Sequence, residues 1–229
     1  MIASLLLVWL TLRLDRRAQR RIFPTGVLSV TKALGNAFWL QALIFVTVTT
    51  TQIFMPLVLH TVYGVTPLWI GVVTTVFSIG WTAGSVAIAG CRPEIQRTSM
   101  WVGMAVCTVC LAILAASVGD VSAKVLGALF VIAGFGIGVA INTVADWTLT
   151  HPPEGEATIT AAAMPVIRSL GMVLGSGFAA VLANAAGLDA GVTVETVERA
   201  VTWIWGAAVL APLFGTIAAL RMVRLERRA

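Results

Sequence analysis

The chain has 229 residues, 59% of them hydrophobic and only 11% charged, with a mean hydropathy of +0.96. Soluble domains average roughly 45–50% apolar and about 25% charged, so this composition excludes an ordinary soluble domain and points to an all-α polytopic membrane protein. The formal charge of +5 does not indicate nucleic-acid binding, because the basic residues flank the apolar runs.

Lipid offers no water to unpaired backbone groups, so apolar runs of this length must be helical. A β-barrel would show short alternating segments instead. The opening run, residues 1–14, falls short of the roughly 20 residues needed to cross. Its charges follow the apolar residues and no small-residue cleavage site appears, which argues against a signal peptide. It reads as the end of an incomplete transmembrane helix. Residues 15–35 form a basic cytoplasmic linker, and RLDRRAQRR at 13–21 carries five arginines.

A six-helix transmembrane bundle is expected over 36–221, with spans at 36–59, 67–90, 98–118, 124–148, 157–186 and 197–221, followed by a basic tail at 222–229. Short connections suit antiparallel neighbours. Orientation follows the Lys/Arg bias. One side collects Arg13, Arg16, Arg17, Arg20, Arg21, Lys32, Arg92, Arg97, Arg221, Arg224, Arg227 and Arg228; the other holds Lys124 and Arg199. The linker, the 91–97 loop, the 149–156 loop and the C-terminus are therefore placed in the cytoplasm. Trp39, Trp69, Trp101, Trp147, Trp203 and Trp205 lie near span ends, as interfacial aromatic residues do.

Polar residues sort the spans. Spans three and six carry little beyond Thr, Ser and Cys. Span one holds Gln41, Thr49 and Gln52, span two Thr74, Thr75, Ser78 and Ser85, span four Asn142, Thr143 and Asp146, and span five Arg168 and Ser176. Polar groups in lipid face the bundle or a wet cavity. Spans one, two, four and five are thus expected around a polar interior, with three and six facing lipid. Gln41, Thr49, Gln52, Asn142 and Thr143 are candidates for a substrate path. Gly171 and Gly175, continued by Ala179 and Ala183, make a small-residue stripe at helical spacing, and Gly80 and Gly84 do the same in span two. Pro56, Pro165 and Pro212 can each kink a helix.

One arginine, Arg168, interrupts the otherwise uncharged stretch from Pro165 to Gly187. It lies roughly 16 Å along span five from its cytoplasmic start, where it can snorkel or pair. Asp146 closes the preceding span at a similar depth across a hairpin. An Asp146–Arg168 pair bracing the cytoplasmic mouth is the expectation, with proton transfer as a second role for Asp146. Nothing indicates an enzyme, a metal site or a cofactor. His60 and His151 sit at span ends, no HExxH or Gly-x-Ser-x-Gly occurs, GFGIG at 134–138 follows no strand, and Cys91, Cys107 and Cys110 read as small buried hydrophobes.

Four stretches carry a family resemblance: MPLVLHTVYGVTPLWIGVV at 55–73, SIGWTAGS at 78–85, FVIAGFGIGVAINT at 130–143 and GEATITAAAMPVIRSLGMVLGSG at 155–177. Together they resemble the C-terminal half of a major facilitator superfamily transporter, most like the multidrug proton-antiporter branch. The resemblance implies half of a two-bundle fold, with a missing N-terminal half as partner and the first, second, fourth and fifth helices of this half lining a cavity. It implies a cell-membrane protein exporting small amphipathic or drug-like molecules in exchange for protons. It also implies a basic cytoplasmic loop, of which CRPEIQR with Arg92 and Arg97 is a loose version. Uptake of a sugar or metabolite, and an inactive truncated fragment or membrane scaffold, are the alternative readings.

Overall fold

A computed structural model describes Arg13, Asp15 and residues 21–227. The described residues fold into helices joined by short turns: α1 (Ala33–Gln52), α2 (Met55–Thr61), α3 (Pro67–Ile88), α4 (Pro93–Ser117), α5 (Ala123–Thr150), α6 (Ala157–Ala185), α7 (Val194–Ala208) and α8 (Leu210–Glu226). Six spans among them are long and apolar enough to cross a membrane, because α1 runs on into α2 and α7 into α8. The expected partial helix at 1–14 lies outside the described residues apart from Arg13.

Proline explains both interruptions. Pro56 has no N–H to offer the carbonyl of Gln52, and α1 stops there; Pro212 likewise cannot serve Ala208, where α7 stops. Pro165 sits inside α6 without dividing it. Elsewhere proline opens helices, at Pro67 and Pro93, where a missing N–H costs nothing. Thr193 and Thr196 form a reciprocal cap on α7: the Thr193 hydroxyl accepts from Thr196 N at 3.2 Å and the Thr196 hydroxyl from Thr193 N at 2.9 Å. Two boundaries differ from the sequence expectation. The first helix starts at Ala33, inside the expected linker, and α8 continues to Glu226, so 222–226 are helix rather than tail. Arg224, in the last turn of α8, suits the negative end of a helix.

Glycine decides which helices approach closely. A side chain at Gly80 or Gly84 would collide with the Val131 or Phe135 carbonyl of α5, and one at Gly134 or Gly138 with α3. Gly103 of α4 and Gly136 of α5 face each other in the same way. Gly171 of α6 rests on the Ala42 carbonyl of α1, and a Cβ at Gly175 would lie 2.9 Å from the Val46 carbonyl. These seams draw α3, α4 and α1 against α5 and α6.

α4, α7 and α8 pack on one another and against α1 and α5, while α3 and α6 flank the bundle. Spans three and six, although poor in polar residues, each bury one face inside this bundle. Met100, Met104, Cys107, Leu111 and Leu114 of α4, and Val197, Val201, Ile204 and Trp205 of α7, are buried. Trp205 meets Phe130 edge-to-face at 5.6 Å, inside the core rather than at an interface. The most exposed spans are α3 and α6, with Leu68, Trp69, Ile79 and Val86 outward on one and Val173, Leu174 and Val181 on the other. Scarcity of polar residues does not say which side of an apolar helix finds partners; the burial follows the three- and four-residue spacing of large side chains.

The linker is folded over residues 21–32. The Asp15 carboxylate accepts from Ile22 N at 2.6 Å and Phe23 N at 3.2 Å. Glu156, just before α6, accepts from Thr25 N at 2.7 Å and from the Thr25 hydroxyl at 2.6 Å. These bonds hold the Glu156 carboxyl below the usual range, helped by Arg21 and Lys32.

Candidate functional site

A polar cluster near the Thr150 end of α5 is assembled by four helices. Gln41 and Phe45 lie one turn apart on α1, Arg168 comes from α6, Thr148 from the end of α5 and Trp81 from the middle of α3. Gln41 is fully buried. Its Nε2 donates to Thr148 Oγ1 at 3.1 Å, and that hydroxyl donates on to the Val144 carbonyl at 2.6 Å. Its Oε1 accepts from Arg168 Nε at 3.4 Å. The amide orientation follows from chemistry, since a guanidinium can only donate.

The Arg168 guanidinium also stands 5.7 Å from the Phe45 ring centroid, within cation–π range. Phe45 in turn meets Trp81 edge-to-face at 6.4 Å, and Trp81 meets Phe77 at 6.4 Å. Arg168 is half-buried and forms no ion pair with a carboxylate among the described residues. A cation at membrane depth normally finds an anion; this one has an amide and an aromatic face. The arrangement offers a held, uncompensated positive charge beside aromatic walls.

The expected Asp146–Arg168 pair does not form in this conformation. Residues 146 and 148 are about 200° apart around a helix. Thr148 is turned toward α1, so Asp146 is turned away from it. Asp146 is exposed and lines a cleft of about 240 Å³ with Gln96, Arg97, Thr143, Trp147 and Glu226. Arg97 is paired there with Glu226 at 2.6 Å, joining the start of α4 to the end of α8. Arg92 is exposed and forms no such bridge among the described residues.

The other candidates fall in three groups. Gln41 joins the Arg168 cluster but is enclosed. Thr49 and Gln52 are half-buried on α1, and neither side chain hydrogen-bonds within the described residues. Asn142 stands on an exposed stripe of α5 with Phe135, Asp146 and Leu149. Thr143 is buried and donates to the Val139 carbonyl at 3.1 Å. Sequence reasoning missed Phe45, Trp81 and Thr148. The first was legible as the residue one turn beyond Gln41, the second as a tryptophan far from either span end.

Residues 1–176 match the family described as Major Facilitator Superfamily. Comparison with curated proteins gave no match.

Proposed function

The chain belongs to the major facilitator superfamily, a family of secondary transporters built from membrane-spanning helices, and from that membership we propose that this bundle is one of two that rock against each other to export small amphipathic or drug-like molecules in exchange for protons. It lies in the cell membrane with its C-terminus in the cytoplasm, as the distribution of basic residues argues. Alternating access follows from rigid bundles turning about a site held between them.

The observation that carries the reading is the Arg168 cluster. It gathers α1, α3, α5 and α6, the four helices whose polar residues set them apart, and it holds a cation without a carboxylate. Such a site favours an amphipathic solute with an acidic or hydrogen-bond-accepting group over a cationic one: the charge meets Arg168, and the apolar body meets Phe45 and Trp81. Asp146 serves as a proton-accepting group at the mouth, exposed in this conformation and free of any ion pair among the described residues.

The test is transport in proteoliposomes containing the whole protein, with carboxyfluorescein as acidic probe and ethidium as cationic probe. An imposed proton gradient is expected to drive carboxyfluorescein against its own gradient. Movement of neither probe, or equal movement without the gradient, contradicts proton-coupled export; gradient-driven movement in the uptake direction identifies a permease.

A further inference from the structure

A groove of about 260 Å³ runs between α1 and α8 on the outer surface of the bundle. Asn36, Trp39 and Leu43 line it from α1, and Phe214, Ile217 and Arg221 from α8. Each set follows three- and four-residue spacing, so the two stripes face each other over about 10 Å of helix. The helices are antiparallel, which puts Asn36 opposite Arg221 at the basic end and Leu43 opposite Phe214 deeper in the span. The groove is therefore polar and cationic at its mouth and apolar along its length.

Its walls are fixed. The Trp39 indole donates to the Leu28 carbonyl at 3.2 Å, and Asn36 Nδ2 donates to the carbonyls of Val30 and Lys32, each at 2.8 Å. Arg221 is exposed and forms no ion pair among the described residues. Arg224, one turn further along α8, is a second exposed cation, whereas Lys32 is turned toward Gly26 and the Glu156 carboxylate. The nearest acid on α8, Glu226, is held by Arg97. The field at the mouth is positive, and a half-open apolar trough lies directly below it.

We propose that the α1/α8 groove is a binding site for a phospholipid with a net anionic head group, with Arg221 on the phosphate and one acyl chain between Trp39 and Phe214. Charge complementarity selects this occupant. A zwitterionic lipid brings its own cation to Arg221 and Arg224, whereas a phosphatidylglycerol head does not. The proposal rests on the groove alone and is independent of the transported solute.

Native mass spectrometry of the whole protein with equimolar phosphatidylglycerol and phosphatidylcholine of matched chains tests it. Wild type is expected to retain the anionic lipid about fivefold over the zwitterionic one, the worth of one arginine near anionic lipid. Arg221→Gln is expected to bring the two to parity, while Arg92→Gln, the same charge loss at the same end but outside the groove, keeps the preference. Ile217→Trp, which fills an open part of the trough, is expected to lower phosphatidylglycerol retention with Arg221 still present. Elution of each variant as wild type on size exclusion checks that it is folded. Equal retention of both lipids by wild type, a preference that survives Arg221→Gln, or displacement of the lipid by inorganic phosphate overturns the proposal.

Discussion

Gln41→Met isolates the hydrogen-bond chain between α1, α5 and α6. Methionine matches glutamine in length and is unbranched, so the fully buried site is neither emptied nor overfilled. Two interactions are lost. The bond to Thr148, at 3.1 Å, is a neutral one worth about 1 kcal/mol. The bond from Arg168, at 3.4 Å, is longer than the usual distance and is worth about 1 kcal/mol despite its charge. Thr148 keeps its own acceptor at Val144, so no buried hydroxyl is orphaned. Better burial of an apolar side chain offsets part of the loss, leaving a net cost of about 1–2 kcal/mol. That cost is a five- to roughly thirty-fold shift in the folded-to-unfolded ratio. It is measurable as an earlier midpoint in detergent-induced unfolding, together with weaker carboxyfluorescein transport as Arg168 loses its anchor. A variant as stable as wild type and equally active would show that the chain organises nothing.

Three further outcomes follow from other parts of the bundle. Gly171→Leu is expected to destabilise the protein by several kcal/mol or prevent its accumulation, because the added side chain meets the Ala42 carbonyl and Phe45 Cβ, whereas Gly177→Ala, which meets nothing within 4 Å, is expected to be neutral or to gain about 0.5–1 kcal/mol of helix propensity; unfolding midpoints compare them. Arg97→Gln is expected to cost more than Glu226→Gln in the same assay, since it leaves a mostly buried carboxylate unpaired, while Glu226→Gln leaves an arginine that is one-third exposed to water. Glu156 has a lowered folded-state pKa, so its contribution is present above the unfolded carboxyl value and lost as pH falls through the folded one; the protection factor of the Thr25 amide, its exchange corrected for the intrinsic rate at each pH, is expected to fall on acidification, and Glu156→Gln to lower it at neutral pH, with no change in either case refuting the docking.

Much of the architecture was legible in the chain, and the reasons are physical. Six spans and their turns follow from apolar length, because a membrane demands it. The Gly171/Gly175 and Gly80/Gly84 stripes named surfaces where α1 and α5 approach, since only glycine admits a neighbouring backbone. Rotation was less legible. Asp146 and Thr148 are two residues apart, and composition does not say which of them turns toward α6; the structure places Thr148 beside Gln41 and leaves Asp146 in the α4/α8 cleft. Phe45 and Trp81 were hidden because an aromatic ring in an apolar helix looks the same whether it faces lipid or a guanidinium. The breaks after Gln52 and Ala208 were foreshadowed by Pro56 and Pro212, but their positions depend on which carbonyl each proline leaves unserved.

The most direct test of the central claim, that Arg168 receives the acidic end of the solute, is proton-driven carboxyfluorescein transport by the whole protein carrying Arg168→Gln or Arg168→Lys. Removing the charge is expected to abolish gradient-driven movement, and lysine, which keeps the charge but loses the planar donors, to restore part of it with a weaker apparent affinity. Wild-type rates and affinity in Arg168→Gln would contradict the account.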